Sequence, residues 1–278
     1  MNTDLPATHP SVDYYDSDYP GIATTSHREN LDDMLETRGL AHDIERYLEL
    51  ARVSSGSVLE LCCGTGRVAI PLARTGFDVT GVDISAAMLE RLRTRLAAEP
   101  EVVRSRIRLV QQDILGLDLG DARYALALIP FNSLMLLTGR REQQRALVQA
   151  ALHLAPGGRL VVDVVNPLAL PLKGDPVPVP FLSRFHEGRG RTYTRFAALG
   201  PLGADQRQKL FGWYDEIDES GIVRRTPYSM WWWPIFPAEL ELMLEAAGLE
   251  IESVEGGHRR EAFTPRAPKI VIIARNLS

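Results

Sequence analysis

An α/β fold built on a parallel sheet with helices on both faces is predicted by three features of the 278-residue chain. Between residues 57 and 166, short apolar runs alternate with amphipathic segments of helical length, the rhythm of repeated βα units. Those runs are apolar throughout, as strands buried on both faces are. A loop containing Gly64 and Gly66 joins the first run to a helix, where backbone N–H groups and the helix dipole can meet a polar or anionic ligand group.

The elements follow in order. Residues up to about Arg28 are polar and rich in Tyr, Pro and Asp, and read as an irregular arm. From about Asn30 to Ala51, Leu31, Met34, Leu35, Leu40, Ile44, Tyr47 and Leu48 recur at near-helical spacing, with Gly39 dividing two helices. "SVLEL" (57–61) is the first strand, and the helix after the glycine loop closes at Gly76. "FDVTGVD" (77–83) is the second strand, and Ser85 caps a helix carrying Met88, Leu89, Leu92 and Leu96 on one face. Strands at 106–113 and 124–130, a helix over 141–154 ending at "APGG", and a strand at 159–166 complete this half.

At "PLALPLKGDPVPVPF" (167–181) prolines exclude helix and central strand. Three strand-like runs follow, at 191–199, 208–218 and 222–233, separated by turn-forming segments, and predict an antiparallel insertion. A helix at 237–248 and strands at 249–255 and 269–275 end the chain.

Composition narrows the function. The chain is 45% hydrophobic and 24% charged, with net charge −5, so no basic field invites nucleic acid or an anionic membrane. Positive charge is almost all arginine; Lys173, Lys209 and Lys269 are the only lysines. The N-terminus lacks the charged and apolar regions of a signal peptide, and no apolar run reaches the ~18 residues that span a bilayer, so a cytoplasmic location is expected. Cys62 and Cys63, the only cysteines, are adjacent. Their Cα atoms lie about 3.8 Å apart, below the usual disulfide range of about 4.4–6.8 Å. No spaced ligand set accompanies them, so neither a redox pair nor a metal site is expected.

Asp83 ends the second strand about twenty residues after the glycine loop, where a carboxylate can accept hydrogen bonds from ribose hydroxyls. "GTGRVA" supplies Gly64, Gly66 and Ala69 of a Gly-x-Gly-x-x-Gly pattern, which leaves a nicotinamide oxidoreductase open, whereas no Gly-Lys-Ser/Thr follows for a P-loop.

"LELCCGTGR" (59–67) resembles the first motif of class I S-adenosylmethionine (SAM)-dependent methyltransferases, Glu-x-Gly-x-Gly-x-Gly, with Glu60, Gly64 and Gly66 matching. The resemblance continues through "GVDIS" (81–85), "QQDI" (111–114), "IPFN" (129–132) and "LAPGGRLVVDVVNP" (154–167), and resumes from Pro237. It implies a Rossmann-like seven-stranded, mostly parallel sheet with the last strand antiparallel, SAM as cofactor and S-adenosylhomocysteine (SAH) as product. It also implies that Glu60 and the 62–66 backbone, including Cys63, hold the methionine end of SAM. Asp83 then meets the ribose, with Ile84 and Met88 against the adenine, Asp113 at its amino group, and Ile114 and Pro130 nearby. Cys62 stands at the family's first glycine position. A binding protein that keeps the cofactor site without transferring a methyl is a further alternative. The division implied is an arm and helical cap at 1–52, a cofactor core at 53–166 and 234–278, and a substrate-binding lid at 167–233.

"IPFN" differs from the Asp/Asn-Pro-Pro-Tyr/Phe that enzymes methylating nucleobase amino groups resemble, so nucleic acid is not the expected acceptor. "MWWWP" and the aromatics of the insertion and arm point instead to an apolar pocket for a small or medium-sized acceptor, as in bacterial natural-product methyltransferases. Tyr14, Tyr19, Phe131, Asn132, Tyr228, Trp231 and Trp233 are the candidate acceptor contacts. His186, His258 and Tyr15 are the candidate general bases, whereas His153 sits on an amphipathic helix and reads as structural. Transfer to N, O, S or C is left open, as is a monomer or homodimer.

Overall fold

The structure, a computed structural model, describes residues 9–19 and 42–277. Its central strand is β1 (Val58–Leu61), whose four residues are all buried. β1 pairs in parallel with β2 (Val79–Asp83) on one side and β4 (Tyr124–Ile129) on the other. β3 (Ile107–Gln111) adds beyond β2, and β5 (Leu154–Val165) beyond β4. β11 (Lys269–Asn276) runs antiparallel to β5, and β10 (Leu249–Glu255) closes that edge. The order is β10-β11-β5-β4-β1-β2-β3, the seven-stranded, mostly parallel sheet expected. Strand order reverses between β1 and β4, which opens a crevice at their carboxyl ends.

Alternate strand residues feed two cores. Leu59, Leu61, Ala127, Ile129 and Val162 pack on Ala146 and Leu147 of α7 (Arg140–Leu152) and on Leu240 and Leu244 of α8 (Pro237–Ala246). Val58, Leu126, Leu128 and Val161 pack on Tyr47 and Leu48 of α3 (Asp43–Ser54) and Leu72 of α4 (Ala69–Arg74). α5 (Ala86–Ala97) buries Leu89, Leu92 and Leu96 against Cys63 and Ile70, and the Ser85 hydroxyl accepts from Met88 N at its start as the sequence predicts. The short α6 (Glu101–Arg104) leads into β3. Of the helical stretch expected from Asn30, the part up to residue 41, with its break at Gly39, lies outside the described residues.

Three expectations are corrected. β5 starts at Leu154 and absorbs the Pro-Gly-Gly turn, because Gly157 has φ +74° and a Cβ at Gly158 would lie 2.8 Å from the Tyr124 carbonyl oxygen. The insertion has four strands, β6 (Val179–His186), β7 (Arg191–Leu199), β8 (Gln208–Ile217) and β9 (Val223–Trp232), in antiparallel order β6-β7-β8-β9. β6 contains Pro180 and is an edge strand, where a missing N–H is tolerated. The described arm is not irregular but forms two helical turns, α1 (Pro10–Asp13) and α2 (Tyr15–Asp18).

The arm bridges the two sheets. On the insertion side, buried Asp18 accepts from Tyr193 Oη at 2.6 Å, Tyr214 Oη at 2.9 Å and Arg195 Nη1 at 3.0 Å. Tyr14 stacks on Tyr214 with centroids 3.9 Å apart and donates to Glu216 at 2.7 Å. On the core side, Asp16 accepts from Thr65 Oγ1 at 2.6 Å and Arg95 Nη1 at 3.2 Å, while Arg91 donates to the Val12 and Asp13 carbonyls. No helix among the described residues is long and apolar enough to cross a membrane.

Asp18→Ala leaves the Arg195 guanidinium buried without its carboxylate, an imbalance that costs about 3–5 kcal/mol in comparable pairs. The expected result is a lower melting temperature and faster proteolytic cleavage of the arm; an unchanged melt and digestion pattern would contradict this account of the bridge.

Candidate active site

The loop after β1 turns through three left-handed residues, Cys62 (φ +60°), Gly64 (φ +53°) and Gly66 (φ +79°). A side chain there is strained by about 1–2 kcal/mol, so Cys62 adopts the glycine-like geometry that its position demands. The two glycines serve different ends. A Cβ at Gly64 would meet nothing within 4 Å, which leaves the backbone open to a ligand. A Cβ at Gly66 would lie 2.2 Å from Leu92 Cδ1, so that glycine admits α5 to the loop. Cys63 is buried and faces Gly81, where a Cβ would sit 3.0 Å from its Sγ.

Asp83, at the end of β2, locks the loop in place. Its Oδ2 accepts from Gly64 N and its Oδ1 from Ser85 N, each at 2.8 Å. A cleft opens beside it, lined by Cys62, Gly64, Asp83, Ile84, Met88, Asp113 and Ile114. Phe131, Ser133, Leu136 and Leu137 form another wall, and Val12 and Tyr15 of the arm a third. Asp113 caps the turn after it, accepting from Leu115 N at 2.9 Å. Glu60, Cys63, Gly66 and Pro130 do not line the cleft. Glu60 is buried within β1, Cys63 and Gly66 are buried residues of the loop, and Pro130 follows β4, its carbonyl accepting from Ser133 Oγ at 2.7 Å.

The electrostatics suit a cationic, polar-ended ligand. Burial pushes the Glu60 carboxyl up to about 8 against the opposing pull of Arg67, and its Oε2 has no hydrogen-bond partner among the described residues. Arg67 is paired with Asp43 and lies 4.5 Å from the centroid of the Phe131 ring. Tyr19 meets that ring edge-on at 4.7 Å, and the Tyr15 ring in turn meets Tyr19 edge-on at 5.5 Å. Burial raises the Tyr15 phenol to about 12 and pushes the Cys62 thiol well above its ordinary range.

The other candidates lie outside this cleft apart from Tyr15 and Phe131. His258 has its Nε2 3.1 Å from Asp163 Oδ2 and a side chain only 1% exposed, so it belongs to a buried network rather than to the cleft. His186 is buried edge-on to Tyr14 at 5.2 Å, within the arm's contact with the insertion. Tyr14 and Tyr228 lie in that same buried cluster, where Tyr228 Oη accepts from Arg195 Nε at 3.0 Å. Trp231 is exposed beneath the Arg207 guanidinium, and Trp233 has left β9, its N–H donating to Met135 O at 2.8 Å. Asn132 Oδ1 is engaged by Val165 N at 2.7 Å and Lys269 Nζ at 3.1 Å. Sequence reasoning overlooked Val12, Arg67 and Ser133. Val12 precedes Tyr15 by three residues, a helical spacing hidden by the arm's polar composition.

A switch-point crevice with a glycine loop and a following acidic residue defines an α/β protein that binds a nucleoside-containing cofactor. A methyltransferase-domain family model matches residues 58–158. The structure of the CcbJ methyltransferase from Streptomyces caelestis is 30% identical, covering 85% of this chain and 96% of that one, with a TM-score of 0.73. The cypemycin N-terminal methyltransferase of a Streptomyces species is 27% identical over 227 residues, 78% of this chain and 82% of its own. A dTDP-3-amino-3,4,6-trideoxy-alpha-D-glucopyranose N,N-dimethyltransferase of Streptomyces venezuelae is 26% identical over 226 residues, 78% of this chain and 85% of its own. The chain belongs to the class I SAM-dependent methyltransferases. SAM is the cofactor, supplying an electrophilic methyl group on a sulfonium, and SAH is the product. The residues present fit it: Asp83 could hold the ribose, Asp113 the adenine edge, and the orphaned Glu60 oxygen the ammonium end.

Asp83→Ala removes both the loop anchor and the carboxylate at the cleft. Calorimetric titration is expected to show SAH binding weakened by at least about tenfold, the equivalent of one strong hydrogen-bonded charge; unchanged affinity would remove Asp83 from the site. Cys62→Gly relieves the left-handed strain, so SAH binding is retained or improved and the melting temperature does not fall. Loss of binding would show that the side chain has a role of its own.

Proposed function

We propose that this methyltransferase acts on an amine nitrogen of a small, partly apolar natural product. The observation that carries the reading is the chemistry of the cleft wall. Its ionisable groups are Tyr15, Cys62, Asp83 and Asp113, and burial raises both the phenol and the thiol further above neutral pH. Asp83 is committed to two backbone N–H groups and Asp113 to one. An oxygen or carbon acceptor often needs a general base, whereas a neutral amine attacks without one. The Tyr15, Tyr19 and Phe131 rings would also stabilise the ammonium that such a transfer creates.

Further support comes from two relatives whose names specify nitrogen acceptors, a peptide N-terminus in one and an amino sugar in the other. In this reading the arm and the 167–233 insertion form the acceptor side of the cleft, and residues 53–166 and 234–278 the cofactor side. Transfer is then an in-line displacement in which the chain aligns the acceptor and excludes water.

The test is incubation with methyl-labelled SAM and a panel of amino sugars, N-terminal peptides, phenols and thiols, with mass spectrometry of products. Labelled amine products are expected, with kcat/KM rising with pH as the acceptor's own ammonium loses its proton. Exclusive labelling of oxygen, sulfur or carbon would contradict the proposal.

A further inference from the structure

Below the cleft, at the carboxyl ends of β4 and β5, lies an ion pair that neither cofactor binding nor methyl transfer accounts for. Asp163 of β5 and Lys269 of β11 are fully buried, with Nζ 2.5 Å from Oδ1. Lys269 is one of three lysines in a chain that otherwise uses arginine. Burying two charges is expensive and is often no more stable than a packed apolar pair, so general stability does not explain its presence. Its surroundings do. Phe131 and Asn132 are both left-handed, at φ +56° and +65°, a strained pair for residues with side chains. Three polar groups of this turn are held by the pair. Asp163 Oδ2 accepts from Phe131 N at 3.2 Å, and the Asp163 carbonyl accepts from Asn132 N at 2.9 Å. Asn132 Oδ1 accepts from Lys269 Nζ at 3.1 Å, and Nζ lies 5.8 Å from the Phe131 ring centroid.

We propose that Asp163 and Lys269 are positioning residues for the cofactor cleft: they hold the left-handed Phe131–Asn132 turn so that the Phe131 ring stands as a cleft wall. Tyr47 and His258 complete the device, donating to and contacting the same Oδ2 at 2.8 and 3.1 Å and so fixing the carboxylate from the opposite side. Without the lysine, Asn132 loses one of its two side-chain partners, and the turn can relax towards right-handed angles that swing the ring away. The inference concerns the cofactor side and is independent of which atom accepts the methyl group.

A double-mutant cycle on SAH affinity, measured by calorimetry alongside thermal melts, tests it. Lys269→Met is expected to weaken SAH binding about three- to tenfold and Phe131→Ala by at least as much. The double variant should bind no more than about twofold more weakly than Phe131→Ala alone, because the lysine acts through the ring. A purely structural lysine would lower the melting temperature and leave affinity unchanged, or would give effects that multiply; either result overturns the proposal. If Lys269→Met does not fold, Asn132→Ala breaks the same hold from the turn and enters the same cycle with the same expectation. Failure of the unaltered protein to bind SAH would instead strike at the cofactor site itself.

Discussion

A single carboxylate with no exposed surface organises the carboxyl end of the sheet. Asp163 collects Tyr47 from α3, Lys269 from β11, His258 from the loop between β10 and β11, and the backbone of the turn after β4. A buried charge must be paired and hydrogen-bonded to persist, so these four segments cannot be placed independently of β5 or of one another. Burial pushes the Asp163 carboxyl up, but Lys269 and His258 outweigh it and hold the group well below the usual carboxylate range. A depressed carboxylate contributes stability above its unfolded pKa and loses it as pH falls, so this knot is intact at neutral pH and fails only in acid.

Strain is concentrated where that knot meets the cleft. Cys62 follows β1 and Phe131 and Asn132 follow β4, and all three are left-handed residues with side chains at the switch point of the sheet. Each is held by something specific. Cys63 N donates to Val82 O at 3.0 Å and Gly64 N to Asp83, which fixes the first turn, while Asp163 and Lys269 fix the second. Such strain persists only where the surroundings over-determine it. Here it aims a bare backbone at Gly64 and an aromatic ring at Phe131 into one cleft.

The core of the fold was legible because strands buried on both faces leave continuous apolar runs between helices, and βα order then sets the sheet. β6 was not legible, since Pro180 argues against a strand wherever its edge position is unknown. The arm's two short helical turns carry no period long enough to detect. In the site, Cys62, Gly64, Asp83, Ile84, Met88, Asp113 and Ile114 converge on the cleft, as local loop chemistry and the family resemblance led one to expect. At Gly66 the glycine pattern does not reveal the close approach of Leu92. His258 is a candidate general base from sequence alone; its contact with Asp163, 95 residues away, is one that no local pattern reveals.

The most direct test of the account is a structure determined with SAH bound. The account predicts ribose hydroxyls on Asp83, the adenine between Ile84, Met88 and Ile114 with its amino group at Asp113, and the amino-acid end towards Glu60, with Phe131 in its left-handed conformation as a wall. SAH bound away from Asp83, or a Phe131 turn relaxed to right-handed angles in the complex, would contradict it.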